Sequence, residues 1–428
     1  MTTNDQISFK PLRPQDLSRI LGLTIKKDEE NKVVTFLCQL SAYSENAQFN
    51  ESFNAPSSTG KSYIPLETAD LFPQEDVMKL GNCSPTAFFH EQGAFNKETN
   101  VITVDLSRKI IIFLDQPHNA LLERLRSLLS HDQKEMQSKI TDKNQKGGNR
   151  TKTVIIRGYP SVIFCSASMQ IDEQEATRFF LLSPEASQEK IREAVRQKIA
   201  KESDNAGFRS RLDEDPERRL LKERILAIRN EKIGEINIAN PKDITERFLG
   251  QRKFMKPRHQ RDVGRLLALV KAFSLLNLWW RERDGTTLTA NSEDVEAAFG
   301  IWDKISLCQE MNLPPYVYKL YDEVILPAWE EKRQRTGDAD GQGLTRQEIL
   351  KQHYEVYGRM MDGNQLRQQI LPVLVTAGLI SQEPHPIDRR KMLIYPTVPL
   401  NTSPSKRNSD GECGATETVQ AAAMKETA

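Results

Sequence analysis

Residues 54–62 read N-A-P-S-S-T-G-K-S, which is close to the phosphate-binding loop pattern G-x-x-x-x-G-K-[ST]. Ala55 stands at the first glycine position, whereas Gly60, Lys61 and Ser62 match the pattern. In such loops backbone N–H groups point at phosphates, the lysine contacts the β and γ oxygens, and the hydroxyl ligates Mg²⁺. The alternative is a Ser/Pro-rich turn that carries G-K-S by chance. The loop residues predicted to bind nucleotide are Ala55, Pro56, Ser57, Ser58, Thr59, Gly60, Lys61 and Ser62.

An apolar run that ends in an acid follows at residues 109–115, K-I-I-I-F-L-D. It is typical of a buried parallel strand with Asp115 at its carboxyl end, beside the phosphate-binding loop. The loop itself requires a preceding strand, which we place in residues 47–54 although these are unusually polar. A carboxylate at Asp115 can bind the water shell of Mg²⁺, so Ser62 and Asp115 are the predicted metal ligands. Together the two elements favour a site for ATP and Mg²⁺.

The residue after Asp115 is Gln116, at the position where most ATPases of this class have a glutamate that activates the attacking water. A glutamine can orient a water molecule but cannot take its proton. Hydrolysis is therefore expected to be slow or to use another residue, for which His118 and Glu123 are nearby alternatives. We expect His118 to cap the strand-to-helix turn rather than to act as a base.

A further buried strand is predicted in residues 159–168, Y-P-S-V-I-F-C-S-A-S, which end in small polar side chains. If this strand lies beside the one that ends at Asp115, its carboxyl end reaches the same edge of the sheet. Ser166 or Ser168 is then placed to contact the γ-phosphate or the attacking water.

Residues 139–157, K-I-T-D-K-N-Q-K-G-G-N-R-T-K-T-V-I-I-R, contain six basic side chains against one acid. Two strands about the central Gly-Gly would make a β-hairpin with a cationic tip. Such a hairpin can grip a phosphate backbone without reading bases, although an ordinary solvated turn explains these residues equally well. The predicted DNA contacts of this segment, which we call the basic hairpin, are Lys143, Lys146, Arg150 and Lys152.

The order of these motifs resembles the AAA+ ATPases of the minichromosome-maintenance helicase group over roughly residues 47–276. S-P-T-A-F-F-H-E-Q-G-A-F (84–95) is similar to that family's segment before its acidic strand, and the strand ending at Asp115 takes the place of the Walker B strand. The resemblance implies that the basic hairpin points into a central DNA channel. It also implies that E-A-T-R-F-F (175–180) corresponds to the family's S-R-F-D motif, which makes Arg178 an arginine finger acting on a neighbouring subunit.

Residues 240–283 resemble the family's helical lid, and residues 257–276 predict a long amphipathic helix. The resemblance puts a second sensor arginine at the start of that helix, with Arg261 the first choice and Arg258 the second. We expect Trp279 and Trp280 to close the core of the lid. The charged stretch before it, residues 187–233, reads as two solvent-exposed helices broken near 205–207 and Pro216.

Residues 344–396 predict two helices and then a strand pair with a basic tip, which is typical of a winged helix. Arg367 is expected on the outward face of the recognition helix. Winged helices also serve protein contacts, and DNA binding is the interpretation we prefer. The predicted DNA contacts of this part are Arg367, Arg389, Arg390 and Lys391.

The composition is that of a soluble globular chain, with 428 residues, 28 % charged and 38 % hydrophobic. Because the net charge is only +1, any affinity for nucleic acid must come from local patches. No apolar run approaches the ~20 residues of a membrane helix, and the first residues carry no signal pattern. The five cysteines lie far apart without a C-x-x-C, so a reducing cytoplasm fits best.

The sequence therefore predicts an α/β fold, an AAA+ P-loop NTPase with a parallel sheet, a helical lid domain and a C-terminal winged-helix domain. The predicted segments are an N-terminal extension with an exposed connector (1–30), the ATPase core with the basic hairpin (31–238), the lid and connecting helices (239–335), the winged helix (343–400) and a disordered tail (401–428).

The function expected from this reading is an ATP-driven DNA helicase or translocase that works in DNA replication as a homo-oligomeric, hexameric ring, for example for a mobile element. Gln116 and the irregular Ala55 loop count against fast turnover. Two alternatives stay open: an ATP-switched origin-binding or helicase-loading factor with little hydrolysis, and an AAA+ remodeller of protein partners.

Overall fold

The computed structural model describes residues 9–397 apart from 92, 97, 100, 143–149, 170–176, 251, 253 and 337–341. The α-helices are α1 (Pro14–Leu21), α2 (Glu29–Ser41), α3 (Tyr63–Ala69), α4 (Asn119–Leu129), α5 (Gln188–Ser203), α6 (Asn205–Glu214), α7 (Pro216–Asn230), α8 (Pro241–Gly250), α9 (His259–Leu276), α10 (Ser292–Met311), α11 (Pro315–Leu320), α12 (Leu326–Thr336), α13 (Arg346–Tyr357), α14 (Gly363–Gln365) and α15 (Leu371–Thr376). Two π turns, Tyr321–Ile325 and Leu366–Ile370, join α11 to α12 and α14 to α15. No helix in the described part of the chain is both long and apolar enough to cross a membrane.

The strands belong to four separate sheets. They are β1 (Asn50–Asn54), β2 (Val77–Leu80), β3 (Ala94–Asn96), β4 (Val101–Asp105), β5 (Ile110–Phe113), β6 (Glu135–Asp142), β7 (Arg150–Arg157), β8 (Ser161–Ser166), β9 (Phe179–Leu182), β10 (Glu235–Ile238), β11 (Glu282–Asp284), β12 (Thr287–Ala290), β13 (Ile380–Pro384) and β14 (Met392–Pro396).

The central sheet consists of five parallel strands in the order β2-β5-β8-β1-β9. Parallel strands end at the same edge, so the segments that follow β1, β5 and β8 meet at the carboxyl edge of the sheet. The α/β fold with a parallel central sheet is confirmed. The order of the strands therefore brings together the loop 55–62, Asp115 with Gln116, and Ser166.

Strand β1 begins three residues later than predicted and is buried along its whole length, although four of its five side chains are polar. The Asn50 amide donates to the Leu129 carbonyl at 2.9 Å and accepts from the Val162 N–H at 3.0 Å. The Glu51 carboxyl accepts from the Thr35 hydroxyl at 3.0 Å. The polar residues of β1 are thus bonded inside the core, which is why the strand lacks the usual apolar pattern.

Burial raises the pKa of Glu51 well above its usual range. The folded protein keeps a proton on Glu51 that the unfolded chain releases above about pH 4.3. Folding stability therefore falls by about 1.4 kcal/mol per pH unit from there up to the folded pKa. We expect Glu51→Gln, which carries no titrating proton, to raise the free energy of unfolding more at pH 8 than at pH 5.

Urea unfolding of wild type and Glu51→Gln at the two pH values measures this difference. Glu246→Gln is the control, because Glu246 is an exposed glutamate on α8. A stabilisation by Glu51→Gln that is equal at pH 5 and pH 8 would contradict a neutral Glu51.

The prediction that the N-terminal segment contains an exposed connector is wrong. Leu17 and Ile25 are buried in the same hydrophobic core as the central sheet. The Tyr63 hydroxyl of α3 donates to the Thr24 carbonyl at 2.9 Å. Apolar side chains of this segment thus cover the sheet, and its backbone contacts the helix after the phosphate-binding loop.

The charged stretch 187–233 also differs from its prediction, since it forms three helices, α5, α6 and α7, rather than two. One face of α7 is buried in the main core. On this helix the Arg224 guanidinium donates to the Leu276 carbonyl at 2.8 Å and lies 5.1 Å from the ring centroid of Phe9. The apolar residues on one face of α7, rather than its many charged residues, decide where the helix packs.

Trp279 and Trp280 do not close a lid core, because 38 % and 51 % of their surfaces are exposed. The Trp279 ring packs on Phe9 with centroids 4.4 Å apart, and the Trp280 indole N–H donates to the Phe9 carbonyl at 3.1 Å. The pair therefore fixes the N-terminal segment to the end of α9.

Residues 235–290 contain a three-stranded sheet, β10-β12-β11, that the sequence analysis missed. Its strands have three or four residues, too few for a period-two pattern to be recognised. The long amphipathic helix predicted in this part is present as α9.

The basic hairpin is an antiparallel pair, β6 and β7, whose backbone register aligns residue 142 with residue 150. It belongs to a four-stranded sheet in the order β3-β4-β7-β6. Val154 and Ile156 of β7 are buried in a separate hydrophobic core with α4. Lys143, Lys146 and the Gly-Gly turn lie outside the described residues.

Gln309 of α10 closes the far edge of the central sheet. Its side-chain oxygen accepts from the Leu181 N–H of β9 at 2.9 Å, and its amide nitrogen donates to the Leu181 carbonyl at 2.8 Å. A fully buried side chain thus pairs with the β9 backbone as a neighbouring strand would.

The C-terminal part consists of α13, the continuous helix from α14 to α15, and the antiparallel pair β13 and β14. Leu344 adds a bridge to Ile394 on the other side of β14. Arg367 is exposed on its helix, as are Arg389 and Arg390 in the turn between the strands. Lys391 is exposed in the same turn. The predicted tail 401–428 lies outside the described residues.

Candidate nucleotide-binding site

The loop between β1 and α3 has the backbone shape that its sequence requires. Gly60 has φ +91°, a conformation that L side chains rarely adopt, and Ser58 is also left-handed at φ 64°. Ala55 is fully buried and its φ is not positive, so alanine fits there without backbone strain. This explains why the loop can depart from the usual pattern at its first glycine but not at Gly60.

The side chains of Lys61 and Ser62 are available for a ligand. Among the described residues no carboxylate lies within ion-pair distance of the Lys61 ammonium, and the Ser62 hydroxyl makes no hydrogen bond. Burial raises the pKa of the nearby Cys165 thiol to about 12, while the Lys61 charge lowers it and the Asp115 charge raises it. Lys61 and Asp115 therefore act on the same buried thiol at the carboxyl edge of the sheet.

Ser166 connects the three segments that meet at this edge. Its carbonyl accepts from the Ala55 N–H at 3.3 Å, and its hydroxyl donates to the Gln116 side-chain oxygen at 2.7 Å. The same hydroxyl accepts from the Ser168 N–H at 3.0 Å. Contact of Ser166 or Ser168 with the γ-phosphate or the attacking water stays a prediction, and the Ser166 hydroxyl is bonded to Gln116, the residue predicted to orient that water.

Asp115 and Gln116 follow β5 in an exposed turn. The Gln116 N–H donates to the Asp115 carboxylate at 2.9 Å. The His118 ring accepts from the Ala120 N–H at 3.1 Å and caps α4, as predicted. The Gln116 side-chain oxygen is occupied by Ser166, and its amide nitrogen has no lone pair to take a proton from water.

A protein-family model described as the MTBMA_p00010 P-loop domain matches residues 10–225. The chain belongs to this P-loop domain family. The match begins before α1 and ends within α7, so it covers the central sheet, the loop 55–62 and the basic hairpin. Membership of a P-loop domain family indicates that the chain binds a nucleotide. The comparison with curated proteins finds no match for this chain.

Mg²⁺ fits the residues that the P-loop domain supplies. The Ser62 hydroxyl and the Asp115 carboxylate are hard oxygen donors, the type that Mg²⁺ prefers, and phosphates and water complete such sites. No cluster of three or more His, Cys, Asp or Glu side chains in the described part of the chain can hold a metal by itself.

Arg178 and Arg261 lie together at the amino edge of the central sheet, opposite the P-loop. The Arg178 Nε donates to the Ser130 hydroxyl at 2.6 Å, and the Arg261 guanidinium bonds to the Thr177 hydroxyl. Both arginines line one cavity of about 470 Å³ beside residues 46–49, which precede β1. A five-residue strand spans roughly 16 Å, so both arginines are remote from the P-loop of their own chain.

The second-choice sensor, Arg258, is held by α9 itself. Its Nε lies 3.3 Å from the fully buried Asp262 carboxylate, one helical turn along. The roles given to Arg178, Arg261 and Arg258 stay predictions, and the first two share one surface.

Asn54, the last residue of β1, contacts several segments of the site and was not predicted from the sequence. Its amide donates to the Ser168 carbonyl at 3.0 Å and accepts from the Ser52 hydroxyl at 2.7 Å. The Asn54 carbonyl accepts from the Ser183 hydroxyl at 2.6 Å. The position of Asn54 directly before the phosphate-binding loop could have indicated its role. No sequence pattern indicates the contact with Ser183, because Ser183 follows β9 far along the chain.

Proposed function

We propose that this P-loop domain protein is an ATP-driven DNA helicase or translocase of the AAA+ class, similar to the minichromosome-maintenance group. It uses ATP with Mg²⁺ and works in DNA replication. The observation that carries the proposal is the position of the basic hairpin in the chain. Strand β7 of the hairpin continues directly into β8, which ends at Ser166 in the nucleotide site.

The base of the hairpin is closed, which supports a mechanical connection. The Gly158 N–H, in the turn between β7 and β8, donates to the Lys134 carbonyl just before β6 at 2.8 Å. The Arg157 side chain is paired with Asp105 of the neighbouring strand β4 at 2.9 Å. Force on the hairpin tip would thus reach Ser166, and through it Gln116, by a short and braced path.

The arginines at the amino edge support a ring. Arg178 and Arg261 line a cavity at the amino edge, remote from their own P-loop, so a role in stabilising γ-phosphate charge would require the nucleotide of a neighbouring subunit. A homo-oligomeric ring, which we propose to be hexameric, gives every P-loop such a neighbour. The C-terminal helices with the pair β13 and β14 support a winged helix, whose exposed Arg367 and basic turn would bind DNA.

A second candidate is an ATP-switched origin-binding or loading factor with little hydrolysis. It is favoured by Gln116, which Ser166 holds in place and which cannot act as a base. A third candidate, a remodeller of protein partners, would need the hairpin charge only for solubility.

ATP hydrolysis with and without single-stranded DNA tests the proposal. We expect DNA to stimulate wild type, Lys61→Ala to abolish hydrolysis, and Lys146→Ala with Lys152→Ala to keep basal hydrolysis but lose the stimulation. Lys198→Ala with Lys242→Ala removes the same charge from exposed positions elsewhere and is the control. ATP binding without hydrolysis would contradict the helicase or translocase and favour the ATP-switched factor. Hydrolysis that DNA does not stimulate would favour the remodeller of protein partners.

A further inference from the structure

The turn between α13 and α14 lies against the P-loop of the same chain. The Arg359 Nη2 donates to the Ser57 carbonyl at 3.0 Å. Met169, after β8, donates its N–H to the Gln369 side chain at 3.4 Å and is buried in the C-terminal hydrophobic core. Both the P-loop and the segment after Ser166 therefore contact the C-terminal helices.

The position of Arg359 is fixed from within the C-terminal helices. Gly358, with φ +63°, ends α13 and donates its N–H to the Tyr354 carbonyl at 2.8 Å. The buried His353 ring lies with Nδ1 at 3.0 Å from the Arg359 carbonyl and with Nε2 at 3.2 Å from the Tyr316 hydroxyl. A carbonyl can only accept, so Nδ1 carries the proton and Nε2 accepts from Tyr316.

The same tyrosine leads back to the start of the P-loop. The Tyr316 N–H donates to the Ser183 hydroxyl at 3.0 Å, and that hydroxyl donates to the Asn54 carbonyl at 2.6 Å. Hydrogen bonds thus run from Asn54 through Tyr316 and the buried histidine to Arg359, and from Arg359 to Ser57. The P-loop is therefore contacted both at the residue before it, Asn54, and at Ser57 by one network that ends at Arg359.

Arg359 has unused capacity for an anion. Its side chain is exposed, it gives one of five N–H donors to a neutral carbonyl, and no carboxylate among the described residues is within ion-pair distance. Two cations without carboxylate partners among the described residues therefore lie at the same loop: Lys61 belongs to it, and Arg359 contacts it. Guanidinium groups bind phosphate oxygens well because their donors form a planar fork.

We propose that Arg359 binds the terminal phosphate of a nucleoside triphosphate held by the P-loop of its own chain. The inference rests on nucleotide binding at that loop and adds a residue from outside the matched P-loop domain. By this contact the C-terminal helices distinguish the triphosphate from the diphosphate.

The test compares affinities for a non-hydrolysable ATP analogue and for ADP in wild type, Arg359→Ala and Arg359→Lys. Loss of a charge-assisted bond predicts roughly 10- to 100-fold weaker binding of the analogue by Arg359→Ala, a partial loss for Arg359→Lys, and ADP affinity within about twofold. Lys351→Ala is the matched control, since Lys351 is an exposed cation of α13 that pairs with Glu355 one helical turn along.

Equal losses for the analogue and ADP would overturn the proposal, because they would mean that Arg359 only shapes the loop. Unchanged affinities for both would overturn it as well. If Lys61→Ala binds the analogue as tightly as wild type, nucleotide binding at the P-loop fails, and this inference fails with it.

Discussion

Gln116→Glu is expected to raise the ATP turnover rate by roughly 10²- to 10⁴-fold, the contribution of a positioned general base. The new carboxylate would keep the shape of the glutamine. The Ser166 hydroxyl, which now donates to the Gln116 oxygen at 2.7 Å, would donate to one carboxylate oxygen. The other oxygen would take the place of the amide nitrogen and accept a proton from the attacking water.

Steady-state hydrolysis at saturating ATP measures this effect. Gln347→Glu adds the same charge at an exposed position of α13 and should leave the rate unchanged. Gln116→Ala should be no faster than wild type, since it supplies no base. A rate for Gln116→Glu within threefold of wild type would mean that another residue already takes the proton.

The second large effect is expected at Arg178. Arg178→Ala should lower turnover by roughly 10³-fold or more while nucleotide affinity changes little, because an arginine finger acts on transition-state charge. Ser130→Ala is the matched control, since it removes only the 2.6 Å hydrogen-bond partner of Arg178. It should cost much less turnover than Arg178→Ala.

Mixing two inactive variants tests whether Arg178 acts between subunits. Arg178→Ala subunits have an intact P-loop, and Lys61→Ala subunits have an intact arginine. In the proposed ring, the interface between an Arg178→Ala subunit and a Lys61→Ala subunit would hold one complete site, so the mixture should regain part of the hydrolysis that each variant lacks. No recovery on mixing assembled, exchanging subunits would contradict action in trans.

The sequence predicts the parts of the site whose chemistry is local. The loop 55–62, the apolar strand before Asp115 and the helix α4 each carry their own pattern within a dozen residues, and all three are present. The antiparallel strand pair of the basic hairpin was likewise predicted from the Gly-Gly at the centre of its sequence. Such patterns survive because neighbouring residues alone decide them.

Contacts between distant residues could not be predicted. Arg359 and Ser57 are 302 positions apart, and nothing near either residue indicates the other. Asn50 and Glu51 make the start of β1 look like a loop, because their hydrogen-bond partners lie in α2, α4 and β8. Arg224 looked like a surface charge for the same reason, since its carbonyl acceptor Leu276 comes from the end of α9.

The pairing of Gln309 with Leu181 bears on how the molecule can be divided. A sheet edge with free N–H and C=O groups recruits strands from other chains, and a side-chain amide here occupies those groups on β9. A fragment limited to the matched residues 10–225 lacks Gln309 and would present β9 uncovered. We therefore expect such a fragment to associate edge to edge and form aggregates, whereas the whole chain covers this edge with Gln309.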